Sequence, residues 1–390
     1  MPKAYISPLG IGYGHASRCV NLAKRLVKEG FSVYFSARGD AFTYLKGSPE
    51  GFPLFGEGKE IVWKQREDGS PDFWGTLKEP GILREFVAQA LEERDYLEAV
   101  SPDVVISDSR LQTLVASEYL GLPSVSILNQ PKLLLHPLIV KKSTSTLPRG
   151  LSIAKRLESV VNSAITRFWA LSQASLVADF PPPFNISKYQ TSNLPKALMD
   201  RLVFTGPLLE PECDEVRDEL VLIMISGPEY ERRSVLGEII ALMERIPEEL
   251  RELEFVVSMG EPGTLRVEEL SSNVKIFSWL PNKWEFLSRA RVVVSRAGHN
   301  VISESLLCGK PLLLIPVPGQ TEKMENAKSV QELGLGLYMN QDDLEKRFFD
   351  YLRTLLKNSG FHKRAKEFRD KFLDWDFLGR AVGAIESVIA

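Results

Sequence analysis

The sequence predicts an α/β protein of two doubly wound, parallel-sheet domains in tandem. Three observations predict it. Short apolar runs alternate with helical patterns along most of the chain, the rhythm of crossover units feeding a parallel sheet. The rhythm breaks at Pro181, Pro182 and Pro183, and again at residues 193–195, then restarts. A length of 390 residues also exceeds what one hydrophobic core commonly serves.

Residues 4–7 read as a strand, followed by a glycine-rich turn, a helix over 15–29 and a strand over 31–36. A long amphipathic helix covers roughly 78–100, then a strand at 103–107, a helix at 110–120 and a strand at 124–128. Residues 151–171 carry Leu157, Val160, Val161, Ala164, Ile165 and Phe168 on one helical face, with Lys155, Arg156 and Arg167 on the others. The domain boundary is expected near Arg201. Beyond it come strands at 219–225, 254–258, 275–277, 291–295 and 311–315, with helices at 232–245, 281–289, 299–308 and 320–333. Residues 342–389 are helical throughout in pattern and long enough to run back across the junction. The expected domains are therefore 1–200, 201–370 and a returning segment 371–390, with ligands outside the carboxyl ends of the strands.

Composition narrows the function. With 44% hydrophobic and 25% charged residues the chain is an ordinary folded protein, and a net charge of −3 argues against a nucleic-acid partner. Cys19, Cys213 and Cys308 lie too far apart in sequence to read as a disulfide framework or a metal-ligand set, so a reducing cytoplasm is expected. The amino-terminal residues lack the apolar core of a signal peptide, and no run approaches the roughly 20 apolar residues of a membrane span. Peripheral contact with the inner face of a membrane stays open: residues 133–140 are apolar and run into Lys141 and Lys142 beside the amphipathic helix. The competing reading is a helix packed on its own domain.

Three strand-to-helix turns are candidate sites. The first, Gly10-Ile11-Gly12-Tyr13-Gly14-His15, could bring the amides of Gly12 and Gly14 to a ligand at a helix start; its bland alternative is a tight turn. Its spacing is not the dinucleotide fingerprint. His15, one of four histidines, stands in the first helical turn, where the positive helix end favours the neutral base. Asp108 ends a strand of the same sheet and could orient that imidazole, or could simply cap the helix that follows. The second turn, Ser226-Gly227-Pro228, offers a hydroxyl and an amide, while Arg232 and Arg233 read as a solvated helix start. The third, Ser295-Arg296-Ala297-Gly298-His299-Asn300, joins a cation to helix-terminal amides, with Glu304 one turn in where a carboxylate can take ribose hydroxyls.

The order Trp279-Leu280-Pro281-Asn282, Arg296-Ala297-Gly298-His299-Asn300, Glu304, Gly309-Lys310-Pro311, Pro316 and Glu322 to Asn326-Ala327 resembles the donor-binding signature of UDP-glycosyltransferases and of the related MurG-type transferases. The resemblance implies the GT-B fold: two Rossmann-like domains facing a central cleft, with C-terminal helices crossing back to the first. It implies that Trp279 stacks on uracil and that Asn282 stands where a glutamine reaches the nucleoside. Arg296 replaces a phosphate-binding histidine. Gly298, His299 and Asn300 face the diphosphate and Glu304 the ribose. Gln320, Glu322 and Lys323 border the sugar, with Lys323 standing where many members have glutamine. His15 matches the catalytic histidine, and Asp108 the aspartate of the UDP-glycosyltransferase branch.

The implied reaction is an inverting single displacement. His15 deprotonates an acceptor hydroxyl as it attacks the anomeric carbon, and domain closure excludes water. No cofactor and no metal are expected; the nucleotide sugar is a substrate. The acceptor is either lipid-linked or a soluble small molecule. Rival readings are a sugar-nucleotide 2-epimerase of the same architecture and a non-catalytic binding subunit.

Overall fold

A computed structural model describes residues 1–62, 64, 75–76, 79, 81–132, 147–213, 220–261, 263 and 265–390, giving side chains from 156 onward in the helix at 147–169, apart from 157. The apolar segment 133–140 with Lys141 and Lys142, and the side chains of Lys155 and Leu157, lie outside the described residues. The chain divides into two compact units. One takes the chain up to Glu210 together with Asp376–Ala390, and the other takes Pro211–Trp375.

The first unit holds a seven-stranded sheet in the order β3-β2-β1-β4-β5-β6-β7, all pairs parallel. Its strands are β1 (Lys3–Pro8), β2 (Ser32–Ser36), β3 (Leu54–Phe55), β4 (Val104–Asp108), β5 (Ser124–Ile127), β6 (Ala174–Val177) and β7 (Leu202–Phe204). Helices α1 (Gly14–Lys28), α2 (Gly39–Lys46), α3 (Ile82–Val100), α4 (Leu111–Tyr119) and α5 (Leu147–Trp169) make the crossovers, with single turns α6 (Lys188–Thr191) and α7 (Lys196–Met199) before β7. Every residue of β4 is buried, which is why it reads as a continuous apolar run and not as an alternation.

The boundary expected at Arg201 falls instead after Glu210. The reason is β7, which pairs with β6 and so belongs to the first sheet. The short, half-buried LVF run gave too little apolar signal to be read as a strand.

The second sheet runs β10-β11-β9-β8-β12-β13-β14. Its strands are β8 (Leu220–Met224), β9 (Glu254–Ser258), β10 (Val267–Ser271), β11 (Val274–Phe277), β12 (Ala290–Ser295), β13 (Leu312–Leu314) and β14 (Gly336–Tyr338). Only β10, an exposed edge strand, is antiparallel. Helices α8 (Glu229–Met243), α9 (Lys283–Arg289), α10 (His299–Leu307), α11 (Thr321–Glu332), α12 (Leu344–Lys357) and α13 (Ser359–Phe372) complete this unit. Phe348, Leu352 and Leu355 of α12 fill its core.

The last helix, α14 (Phe377–Ile389), packs on the first unit, where Leu378, Ala381, Val382 and Ile385 join the core of β1, β4 and α1. Asp376 caps it by accepting the Gly379 amide (2.8 Å) and pairs with Arg25 of α1 (2.8 Å). The return thus begins at Asp376, later than the expected residue 371.

The cysteine expectation is corrected. Cys213 and Cys308, 95 residues apart in sequence, are joined as a disulfide with Cα atoms 5.6 Å apart. Sequence separation says nothing of distance once β8 to α10 have folded between them. Cys19 alone is a free, buried thiol.

Candidate active site

In a doubly wound sheet the chain reverses its lateral direction between the first strand and its neighbour on the other side, and the loops there part to leave a crevice. In the first unit those neighbours are β1 and β4, registered with Pro8 opposite Asp108. His15 follows β1 and Asp108 ends β4, so the two groups singled out from sequence meet at this switch point. His15 Nδ1 lies 2.9 Å from Asp108 Oδ1; the imidazole is about a quarter exposed and the carboxylate fully buried.

Asp108 does more than orient the histidine. Arg18, one helical turn beyond His15, forks onto it with Nε 2.6 Å from Oδ2 and Nη2 2.5 Å from Oδ1. The Cys19 thiol donates to Oδ2 at 3.4 Å, and the Ser109 hydroxyl to Oδ1 at 3.2 Å. Burial pushes this carboxyl's pKa up, but the Arg18 and His15 charges and hydrogen bonds outweigh it, so the group is held far below the usual carboxylate range. Burial also pushes the Cys19 thiol well up, so that thiol stays protonated. The alternative in which Asp108 caps the next helix is not realised: Arg110 occupies the N-cap of α4 and no side chain caps it.

The glycine turn is filled from within its own unit. The Gly12 amide donates to Asp40 (2.8 Å) and the Gly10 amide to Glu60 (3.0 Å). Glu60 in turn faces the fully buried Arg110 (3.5 Å), which also pairs with Glu93 (2.8 Å). The expected phosphate contact through Gly12 is therefore corrected: a carboxylate already takes that amide and would repel a diphosphate.

In the second unit the equivalent neighbours are β8 and β12, with Met224 opposite Ser295. Ser226-Gly227 follows β8 and Arg296 to Asn300 follows β12, so these two turns also meet at a switch point. A Cβ on Gly298 would lie 3.7 Å from Ser226 Oγ. Gly227 adopts φ +113°, and a Cβ there would sit 2.5 Å from Glu231 and 3.3 Å from Lys323. Those two buried side chains form an ion pair beneath the turn. Asn326 of α11 donates to the Ala297 carbonyl (3.3 Å), tying the start of α11 to the same place. Glu322 and Gln320 stand half-buried at that helix start.

Arg296 is fully buried, and among the described residues none of its three guanidinium nitrogens has a hydrogen-bond partner. Burial lowers its pKa to about 10, with Glu231 and Glu238 pulling the other way. Glu304 is buried, and its Oε1 accepts from Lys283 (2.7 Å), whose ammonium also lies 5.1 Å from the centre of the Trp284 ring. Asn282 is the N-cap of α9, accepting the Trp284 amide at 3.2 Å. Trp279, just past the carboxyl end of β11, is 37% exposed. Arg232, expected to be solvated, is buried and donates to the Met259 carbonyl (3.1 Å), whereas Arg233 is exposed.

Three residues escaped the sequence reading: Arg18, Glu231 and Lys283. The i, i+3 spacing of His15 and Arg18 was a usable signal, since it puts both on one helix face. Glu231 pairs with a residue 92 positions away and left no local trace.

Among the described residues no group of three or more His, Cys, Asp or Glu side chains could hold a metal ion. Likewise, none of the described helices is long and apolar enough to cross a membrane.

The two doubly wound units have the GT-B fold, and comparison with known proteins agrees. Residues 233–374 match the glycosyltransferase family 28 C-terminal domain. Over its length the chain is similar to an uncharacterized glycosyltransferase of Methanosarcina mazei, 23% identical over 93% of this chain and 92% of that one. A shorter stretch, 39% of this chain and 43% of the relative, is 23% identical to the UDP-N-acetylglucosamine–N-acetylmuramyl-(pentapeptide) pyrophosphoryl-undecaprenol N-acetylglucosamine transferase of Caldicellulosiruptor saccharolyticus. Among solved structures, the glycotransferase of kitacinnamycin has a TM-score of 0.66 at 19% identity, covering all of both chains. MurG of Acinetobacter baumannii has a TM-score of 0.61 at 14% identity, covering 99% of this chain and 100% of its own. The chain thus has the GT-B fold, and its residues 233–374 resemble the glycosyltransferase family 28 C-terminal domain.

Proposed function

We propose that this protein moves a hexose or N-acetylhexosamine from a UDP-sugar to an acceptor hydroxyl, with inversion, without a metal or cofactor, and with His15 as general base. The observation that carries the reading is the buried Asp108 carboxylate 2.9 Å from Nδ1 of a partly exposed histidine. A carboxylate there holds the proton on Nδ1, leaves Nε2 with its lone pair toward the acceptor, and stabilises the imidazolium once the proton is taken.

The donor half of the reading rests on the second unit. Arg296, buried without a hydrogen-bond partner among the described residues, supplies a cation to a diphosphate near the amides of Gly298, His299 and Asn300. Ser226 and Gly227 border the same place. Glu304, held by Lys283, takes the ribose hydroxyls, Trp279 stacks on the base and Asn282 lies beside it. Glu322, Gln320 and Lys323 border the sugar. The donor of the Caldicellulosiruptor relative, named as UDP-N-acetylglucosamine, supports a uracil nucleotide.

That relative's undecaprenol acceptor favours a lipid-linked acceptor here, with the protein resting on the inner face of the membrane from the cytoplasm. One feature of this chain agrees: Val160 (67% exposed) and Phe168 are exposed on α5, the helix that also carries the exposed Arg156 and Arg167. Co-sedimentation with anionic vesicles tests it, and no binding would favour a soluble acceptor.

The test of the reaction is turnover of UDP-N-acetylglucosamine and UDP-glucose in the presence of a chelator. His15→Ala should lose about 10²- to 10⁴-fold in turnover while binding UDP as before. Unchanged turnover would assign the base elsewhere. Conversion of the donor to its epimer without acceptor would replace the transferase reading with that of a 2-epimerase.

A further inference from the structure

We propose that Arg18 is a positioning residue for this reaction: it offsets the Asp108 charge so that His15 stays a neutral base, and it aims the carboxylate at Nδ1. The proposal rests on the reading of His15 as the base.

Asp108 is fully buried, and a buried carboxylate facing an imidazole draws a proton onto the pair. With no cation beside it, that attraction would keep His15 as an imidazolium, which has no lone pair to offer an acceptor hydroxyl. Arg18 counters this in two ways. Its fork spans both oxygens, at 2.6 and 2.5 Å, so one positive charge is committed to the carboxylate and cannot be titrated away. Its Nη2 also lies 3.1 Å from His15 Nδ1, close enough for its charge to oppose a second positive charge on the ring. The fork fixes the carboxylate plane as well, since a bidentate pair has one geometry.

Other groups nearby do not replace it. The Cys19 thiol on α1 and the Ser109 hydroxyl after β4 are neutral donors to the same carboxylate. Asp40 of α2 is an anion bound to the Gly12 amide. Arg110 and Arg38 are committed to Glu93 and Glu92. Among the described residues, Arg18 is the cation that touches the dyad.

The test uses the full chain labelled with ¹⁵N, with His15 assigned by comparison with His15→Gln. The ring nitrogens are followed against pH in wild type, Arg18→Lys and Arg18→Met, beside the pH profile of kcat/KM. Removing a like charge at this distance should raise the midpoint of the His15 titration by about one to three pH units in Arg18→Met. The acid limb of kcat/KM should move with it, and Arg18→Lys should restore part of both. A merely structural arginine would lower activity at every pH and leave the midpoint in place. An unmoved midpoint in Arg18→Met overturns the proposal. If Arg18→Met does not fold, Arg18→Gln, which keeps a hydrogen-bond donor and loses the charge, decides: a raised midpoint supports the proposal, and a midpoint left in place overturns it. Full turnover in His15→Gln would instead sink the reading of His15 as base, while the ring titration would still report on Arg18.

Discussion

Gly227→Ala tests how the donor-side turn is built. Gly227 holds φ +113°, a region that residues with a Cβ rarely enter, at a cost of about 1–3 kcal/mol. The added Cβ would also lie 2.5 Å from Glu231 Oε2, so Glu231 must move, and it cannot move freely because it is buried against Lys323. Separating a buried ion pair altogether costs about 3–5 kcal/mol, the upper limit for that movement. The expected loss in the second unit therefore runs from about 1–3 kcal/mol, if a small shift relieves Glu231, to about 4–8 kcal/mol, if the pair separates fully. Ser226 Oγ faces Gly298 across this turn, so the same displacement should weaken UDP binding at least tenfold. Gly237→Ala is the control. Gly237 lies in the exposed part of α8 with nothing within 4 Å of its new methyl, and alanine there should stabilise by about 0.5–1 kcal/mol. Urea unfolding followed by circular dichroism measures the first effect and calorimetry with UDP the second. If Gly227→Ala matched Gly237→Ala in midpoint and affinity, the buried pair would have no part in shaping the turn.

Lys283→Met should weaken UDP binding about tenfold by releasing Glu304, and adding Glu304→Gln should cost little more, because the two act as one unit; additive losses in calorimetry would separate them. Asp108→Asn should cost about 3–5 kcal/mol by leaving Arg18 buried without its counter-charge. Because the Asp108 carboxyl is held below its unfolded value, its contribution is fully present above about pH 4 and is lost as pH falls further. The variant's urea midpoint should therefore fall less steeply with acid than wild type, and parallel curves would refute the pairing. Denatured protein kept from reductant should titrate as one thiol, Cys19, and as three after reduction. Closing so long a loop should contribute about 4–5 kcal/mol, which Cys213→Ser would remove. Three thiols without reductant would refute the bond.

Nine of the parallel strands were legible because burial on both faces makes them continuous apolar runs, while the short β3, β6, β7 and β14 went unread; the switch-point turns were legible because glycine and small polar residues end those runs. What escaped depends on partners far along the chain. β10 is an exposed edge strand with the polar sequence VEELS, and no apolar signal marks it. The filling of the Gly12 turn needs Asp40, 28 residues on, and the lining of the Gly227 turn needs Glu231 to meet Lys323 from another helix. Local sequence shows that a turn is built to hold something, and folding decides whether a neighbouring side chain already holds it.

That distinction explains why two turns of similar appearance invite different chemistry. In the first unit the glycine turn is ringed by acids: Asp40 on Gly12, Glu60 on Gly10, and Asp108 at the end of β4. Arg18 and Arg110 are both committed to carboxylates there. Among the described residues an anionic diphosphate finds no uncommitted cation at that turn, which fits the proposed place there of a neutral acceptor hydroxyl. In the second unit Glu231 is matched by Lys323 and Glu304 by Lys283, which leaves Arg296 as the buried cation without a hydrogen-bond partner among the described residues. A guanidinium in that condition favours an incoming phosphate, because the desolvation cost is already met in the folded state. Charge, more than the glycines themselves, thus argues for an acceptor at the first unit and a nucleotide at the second.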